Sequence, residues 1–595
     1  MSLRPKKPTA PPDGAPSRGA ALFRLRFGFV IIAMLLSVFG VRLVQLQGLD
    51  PHAYAAMAAA EGLVTAELPA ERGAIVDRNG VELATSVDGL MIVGDPQMTR
   101  KDAPEIATRL ADRLGIDYFQ LLDRLRRQDT RFQYLARRVP STVATAVVEE
   151  LKEDGFKGLS TRRDPMRDYP ADDIASNLVG FIGQDEDKGP LAGFERTFDK
   201  QLSGTDGSAT YEVGGGNRIP LGENSTVKPV DGKDLRLTLE RDVQFYAQRV
   251  LAEGVRKVRG ESGVAIVMDT RTGEIIAAAD YPTYNANEPA DSAKEDLGSR
   301  AASDVYEPGS VEKVLTFGAL IDAGKITPRT RLEVPEKLTR NGATIGDHWN
   351  HGDIRLTAAG ALAKSSNLGT ILVADEFSND ELHGYLEKFG IGEKTAMGIR
   401  GEAAGVLPPA ESWSDLSRAT IAFGQGLSVN AFQMTSALNT VANDGIRISP
   451  NVIRGSATTD SGQEVGTDHT TSDRVISEEA ARQTAEMMEL VTDPEDGIAK
   501  GTAIPGYRVA GKTGTAQRVG KECGCYDGTF TISFGGFAPA DDPRFTVYVM
   551  IQDPKGGQGG GTGAGPVFKK IMTYLLRKYA VPPTGEKAAS LPVEW

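Results

Sequence analysis

Ser310 and Lys313 stand three residues apart in the stretch Glu307-Pro308-Gly309-Ser310-Val311-Glu312-Lys313. Pro308 and Gly309 suit a helix start, which puts Ser310 in the first turn, where unpaired N–H groups and the backbone dipole favour negative charge on its oxygen. Lys313 then falls on the same helical face. A lysine partly withdrawn from water has a lowered pKa and can accept the hydroxyl proton, so the pair has the makings of a serine nucleophile with its own base. The spacing alone is weak: it arises by chance about twice in a chain this long, and an exposed helix start explains it equally well. Two further clusters carry suitable chemistry. In Ser365-Ser366-Asn367 a hydroxyl and a carboxamide two apart can face one cleft from a turn between helices, as a proton relay and a donor to a substrate carbonyl. A simple helix cap is the plainer reading. In Lys512-Thr513-Gly514-Thr515, on an expected strand, Gly514 leaves room for a substrate backbone, while Lys512, Thr513 and Thr515 can hold a carboxylate. A polar edge strand would look the same.

These clusters need elements to bring them together. GVAIVMD (263–269) and GEIIAAA (273–279) are apolar runs joined by Thr-Arg-Thr and predict a hairpin. RVAGKTGTA, TFTISFGGFA and RFTVYVMIQ predict three more strands, and PVFKKIMTYLLRKY predicts a closing helix. The expectation is an α+β domain, an antiparallel sheet of about five strands built from both ends of the segment and flanked by helices from its middle. Its start is placed at residue 236, after a change of composition near DGKDLRLTLERDVQ (231–244), and its end at 580, with 581–595 as a tail. Residues 48–235 mix short strands with helical stretches such as Glu105 to Arg127 and contain no nucleophile-and-base pattern.

The start of the chain sets the compartment. Phe27 to Val41 carries no charge, and the apolar run is read as a membrane span over 23–47. Arg4, Lys6, Lys7, Arg18, Arg24 and Arg26 precede or flank it against one acid, Asp13, so residues 1–22 are expected in the cytoplasm and the remainder outside. A cleaved signal peptide, with alanines 58–60 as its site, is the competing reading. The net charge of −13 argues against nucleic acid as a partner. Neither metal nor cofactor is expected: His348 and His351 lack a third ligand nearby and read as loop residues, and the glycine run 556–565 lacks the Lys-Ser/Thr of a phosphate loop and reads as a loop near the cleft. Cys523 and Cys525 flank one glycine, and either redox state is open.

Taken together, the serine motif, SSN and KTGT resemble the active-site series of penicillin-binding proteins and class A β-lactamases. The resemblance runs through most of the chain, to class B penicillin-binding proteins of the FtsI type. RGAIVDRNGVELA (72–84), RDYP (167–170) and GFERTFDKQLSG (193–204) resemble that family's N-terminal motifs, and YPTYNAN (281–287), FGQG (423–426) and GGFAPADDP (535–543) resemble its catalytic half. Ser299-Arg300 departs from the family's usual Asn-Arg. The resemblance implies a transpeptidase fold behind a transmembrane helix and an elongated α+β pedestal at 48–235. It implies an acyl-enzyme at Ser310 formed from stem peptides ending in D-Ala-D-Ala, with Lys313 as base, Ser365 as proton shuttle and Asn367 orienting. Lys512, Thr513, Gly514 and Thr515 would bind the donor, and backbone N–H groups of Ser310 and Thr515 would hold the oxyanion. It further implies inhibition by β-lactams, a septal role, and an FtsW-type glycosyltransferase and other division proteins as partners. An elongation-type enzyme, a D,D-carboxypeptidase or β-lactamase, and a non-catalytic scaffold or β-lactam sensor are the alternatives.

Overall fold

The computed structural model describes residues 18–45, 63–128, 130–183, 189–214, 217–218, 224–495, 497–520, 524–585 and 587–595. The chain divides into two compact units, one of residues 1–68 and 206–229, the other of 69–205 and 230–595. In the first, a helix runs from Arg18 to Val44. Its segment Phe23–Val44 has a mean hydropathy of 2.4, and none of its residues is buried. At 1.5 Å per residue such a segment is long enough for the ~30 Å hydrocarbon core of a bilayer. The same unit holds a small antiparallel sheet in which Gly207–Gly214 pairs with Leu63–Leu68 and Asn224–Val227.

The second unit is built around a five-stranded antiparallel sheet. Its strands are β1 (Ser262–Asp269), β2 (Ile275–Tyr281), β3 (Ala510–Val519), β4 (Tyr526–Ala538) and β5 (Phe545–Gln552), in the order β2-β1-β5-β4-β3. The expected hairpin is there: Asp269 accepts hydrogen bonds from the N–H groups of Arg271 and Thr272 (3.1 Å each) and turns β1 into β2. Every residue of β5 is buried, as befits a central strand covered on both faces. Its side chains alternate accordingly. Val547, Val549 and Ile551 pack with helices α1 (Arg241–Lys257) and α6 (Ala564–Lys578), whereas Tyr548 and Met550 join the larger core of α2 (Lys313–Asp322), α4 (Ala431–Ala442) and α5 (Glu478–Thr492).

Ahead of the sheet, a lobe with its own core packs the strand Gly89–Gly94, flanked by Gln133–Pro140 and Leu159–Arg163, against three helices. The helix expected over Glu105 to Arg127 is two, Ala103–Leu114 and Tyr118–Arg126. Gly115 takes φ +68° and ends the first, and the Asp117 carboxylate accepts from Gln120 N–H to cap the second, two local signals that a continuous apolar period conceals. Three distant stretches meet at Glu195, fully buried, whose carboxylate accepts from Arg72 Nε and Arg167 Nε (2.6 Å each). Asn287 of YPTYNAN exchanges hydrogen bonds with the backbone of Tyr169. At the departure noted above, Ser299 donates to Asp280 (3.2 Å), whose carboxyl burial pushes up to about 7. Cys525 is disulfide-bonded; Cys523 lies outside the described residues.

Candidate active site

Ser310 sits in a single 3-10 turn, Gly309–Val311, that feeds directly into α2. Two glycines make this turn possible. Gly309 has φ +54°, and a Cβ there would lie 3.0 Å from the carbonyl oxygen of Thr515 on β3. Gly424 of the FGQG stretch has φ +88° and accepts from Gly309 N–H at 2.9 Å; a Cβ on it would fall 2.0 Å from Gly309 O. Only glycine tolerates both demands, so Tyr306-to-Ser310, FGQG and KTGT are locked at one spot.

Lys313 is wholly buried beneath this turn. Its amine donates to the carbonyl oxygen of Ser365 (2.7 Å) and to Oδ1 of Asn367 (2.8 Å). Burial pulls its pKa down to about 7, against the opposing charges of Asp347 and Glu312. A neutral amine has two N–H bonds and one lone pair. Both N–H groups have acceptors here, which leaves the lone pair as the unassigned position.

Ser365 lies between the helix Ala358–Ala363 and α3 (Asn367–Ala374), in a left-handed conformation (φ +59°) uncommon for a residue with a side chain. Its hydroxyl accepts from the amine of Lys512 at 2.7 Å. Lys512, on β3, is also wholly buried, and desolvation together with the nearby Lys313 pushes its pKa well below the ordinary lysine range. One serine thus receives both lysines, Lys313 on its carbonyl and Lys512 on its hydroxyl. The helix cap weighed as the plain reading of SSN falls to Ser366, which accepts from Gly369 N–H at 2.8 Å and leaves its two neighbours to the lysines.

A cleft of about 510 Å³ opens over these groups, and Ser310, Ser365, Asn367, Thr513 and Thr515 all line it. β3 is one of the two edge strands of the sheet. A Cβ on Gly514 would meet Ser533 Oγ at 2.3 Å and Pro308 O at 2.9 Å, so its missing side chain serves the packing of the strand against the Ser310 turn. The glycine run also borders the cleft: a Cβ on Gly560 would lie 2.3 Å from Ser533 O and 2.6 Å from Gly514 O. Close backbone approach accounts for Gly560. His348 lines the cleft as well, and burial beside Lys313 and Lys512 lowers its pKa. Among the described residues no group of His, Cys, Asp or Glu is placed to hold a metal ion.

Sequence reasoning missed Asp347. Its carboxylate is fully buried, accepts from Ser366 Oγ (2.6 Å), from the N–H groups of Asn367 and Leu368, and contacts His351 Nε2 (3.1 Å). It thereby fixes the first turn of α3 and the residue that holds Lys313. The only signal was an acid set beside the histidines of DHWNH. Glu312 was passed over too; it is fully buried, one oxygen accepts from Thr316 Oγ1 (2.8 Å), and burial raises its pKa.

The penicillin binding protein transpeptidase domain matches residues 263–573, and the penicillin-binding protein dimerisation domain matches 67–237. The chain is 35% identical to the penicillin-binding protein PbpB of Mycolicibacterium smegmatis, covering 94% of this chain and 91% of the relative. It is 32% identical to the peptidoglycan D,D-transpeptidase FtsI of Escherichia coli, covering 95% and 94%. A crystal structure of penicillin binding protein 3 from Mycobacterium tuberculosis, complexed with ampicillin, superposes with a TM-score of 0.69 at 30% identity, covering 89% of this chain and all of the other. The two matched domains, in this order and over nearly the whole length, place the chain in the class B penicillin-binding proteins of the FtsI type.

Proposed function

We propose that this protein is a serine peptidoglycan D,D-transpeptidase. The observation that carries the reading is the convergence of two buried amines on Ser365, which shares one cleft with Ser310. Ser310 Oγ attacks the carbonyl carbon of the penultimate D-alanine of a donor stem peptide while Lys313 Nζ takes its proton. The oxyanion forms between the N–H groups of Ser310 and Thr515, each donor worth about 3 kcal/mol in such sites. The tetrahedral centre then collapses: the C–N bond to the terminal D-alanine breaks, its nitrogen receives a proton through Ser365, and the acyl group remains on Ser310. An amine of a neighbouring stem displaces the serine by the reverse sequence and forms the cross-link. Lys512, Thr513 and Thr515 hold the donor carboxylate. Its negative charge offsets the proximity of two lysines that burial otherwise drives towards neutrality. Asn367 orients Lys313, and Gly514 keeps the strand flush with the nucleophile turn. β-Lactams enter as donor mimics.

The test is a donor peptide ending in D-Ala-D-Ala with an amine acceptor in excess. One D-alanine released for each new amide bond supports transpeptidation. Release without amide formation would make the chain a carboxypeptidase, and neither product from folded protein would leave a scaffold or sensor. We further read the basic flank of the Phe23–Val44 helix as leaving the N-terminus in the cytoplasm and the catalytic unit outside. Protease added to intact spheroplasts should then remove the catalytic unit; protection would overturn that orientation. The likeness to FtsI supports a septal role beside an FtsW-type glycosyltransferase and other division proteins. Septal enrichment of a fluorescent fusion, and its co-purification with such a partner, would bear this out; even labelling of the side wall would favour elongation.

A further inference from the structure

Ser365 receives both lysines in a left-handed conformation, a strained state that persists only where its surroundings over-determine it. What fixes its C-terminal side is plain: Ser366 and Asn367 are tied to Asp347. Its N-terminal side is the helix Ala358–Ala363, six residues long and too short to be stable by itself. That helix begins where the end of the chain crosses it. Strands Arg331–Val334 and Ile354–Thr357 form an antiparallel pair, and Glu594 bridges Leu356 on its other side as a third, minimal strand. Thr357, whose hydroxyl caps the helix by accepting from Gly360 N–H (2.9 Å), donates its own N–H to Val593 O (3.0 Å) and its hydroxyl to Pro592 O. The crossing is so close that a Cβ on Gly360 would lie 1.9 Å from Val593 O.

The last two residues hold the crossing in place. Glu594 pairs with Lys364, the residue immediately before Ser365, at 3.3 Å. Trp595 donates its indole N–H to Leu332 O (3.3 Å) and lies against the guanidinium groups of Arg331 and Arg355, 4.8 and 5.1 Å from its ring centre. We propose that Leu591–Trp595 is a positioning strap for catalysis: it clamps the start of the Ala358–Ala363 helix and the residue before Ser365, and so holds Ser365 where Lys313 and Lys512 both reach it. The proposal rests on the acyl-transfer reading above, since it assigns the strap to the chemical step.

The experiment separates binding from acylation with a fluorescent penicillin, in detergent-solubilised protein lacking only residues 591–595 and in the full-length Glu594→Ala/Trp595→Ala double variant, with near-ultraviolet circular dichroism reporting the folded fraction. Displacing Ser365 by a fraction of an ångström is expected to slow the acylation step of the folded truncated protein about tenfold or more, with the dissociation constant of the initial complex little changed. The double variant should show a smaller loss. Added peptide Leu-Pro-Val-Glu-Trp should restore the truncated protein's rate, which a general loss of stability would not permit. An acylation step unchanged in either folded variant would overturn the strap, and should the truncated protein not fold, the double variant decides. Wild-type protein labelled alongside reports on the acyl-transfer reading separately: if it too fails to label, that reading has failed and not the strap alone.

Discussion

In the proposed role of base, Lys313 acts only while its amine is neutral, and burial brings its pKa to about 7. Below that value the amine is protonated and cannot take the Ser310 proton; above it the lone pair is available. The acylation rate with a penicillin should therefore fall about tenfold per pH unit below 7 and level off above it. A profile flat between pH 5 and 8 would remove Lys313 from the role. Replacing Lys313 with Ala should slow acylation by about 10²–10⁴-fold while the protein stays folded, because alanine is accepted in a buried helix and the lost group is a general base. Asp347 acts one step back. Asp347→Ala would strand the Ser366 hydroxyl and two N–H groups in a dry setting, and should cost about 3 kcal/mol of unfolding free energy, read by urea titration, as well as slowing acylation. A change within 0.5 kcal/mol, about the effect of an ordinary surface substitution, would contradict that account.

At the scale of elements, Ser310, Lys313 and the KTGT strand were legible because their chemistry is local: a turn residue before a helix, a one-turn offset, a glycine in a strand. The five strands were legible from apolar runs bounded by turns. Other parts were hidden by distance along the chain. Lys512 meets Ser365 across 147 positions, and Asp347 reaches Ser366 across 19. No spacing rule spans such separations, since loop closure sets few limits on which side chains a tertiary fold brings together. The strand added by Glu594 was invisible for the same reason: its pairing with Leu356 is isolated, and the tail carries no alternating pattern of its own. The helix break at Gly115 to Asp117 was legible in principle, because glycine followed by a capping acid is a stop and a start.

On the scale of the whole molecule, the family-like stretches of the first half around Arg72, Arg167 and Glu195 serve architecture. Glu195 joins segments around residues 72, 167 and 195 through two arginines, with its side chain fully buried. Glu195→Gln removes the charge that neutralises both, and should destabilise the protein by about 3–5 kcal/mol, seen as an earlier unfolding transition, while folded protein at low temperature still acylates. Equal stability in variant and wild type would show the cluster to be dispensable. The sheet brings its two ends together from opposite ends of the catalytic segment, so that β3 can face a turn some 200 residues earlier, and the proposed chemistry depends on that closure at Ser310. The most direct test is mass-spectrometric mapping of the adduct formed with a penicillin. One modified peptide is expected, with the acyl group on Ser310 and no adduct in Ser310→Ala protein; an adduct on another residue, or persistent labelling of that variant, would contradict an acyl-enzyme at Ser310.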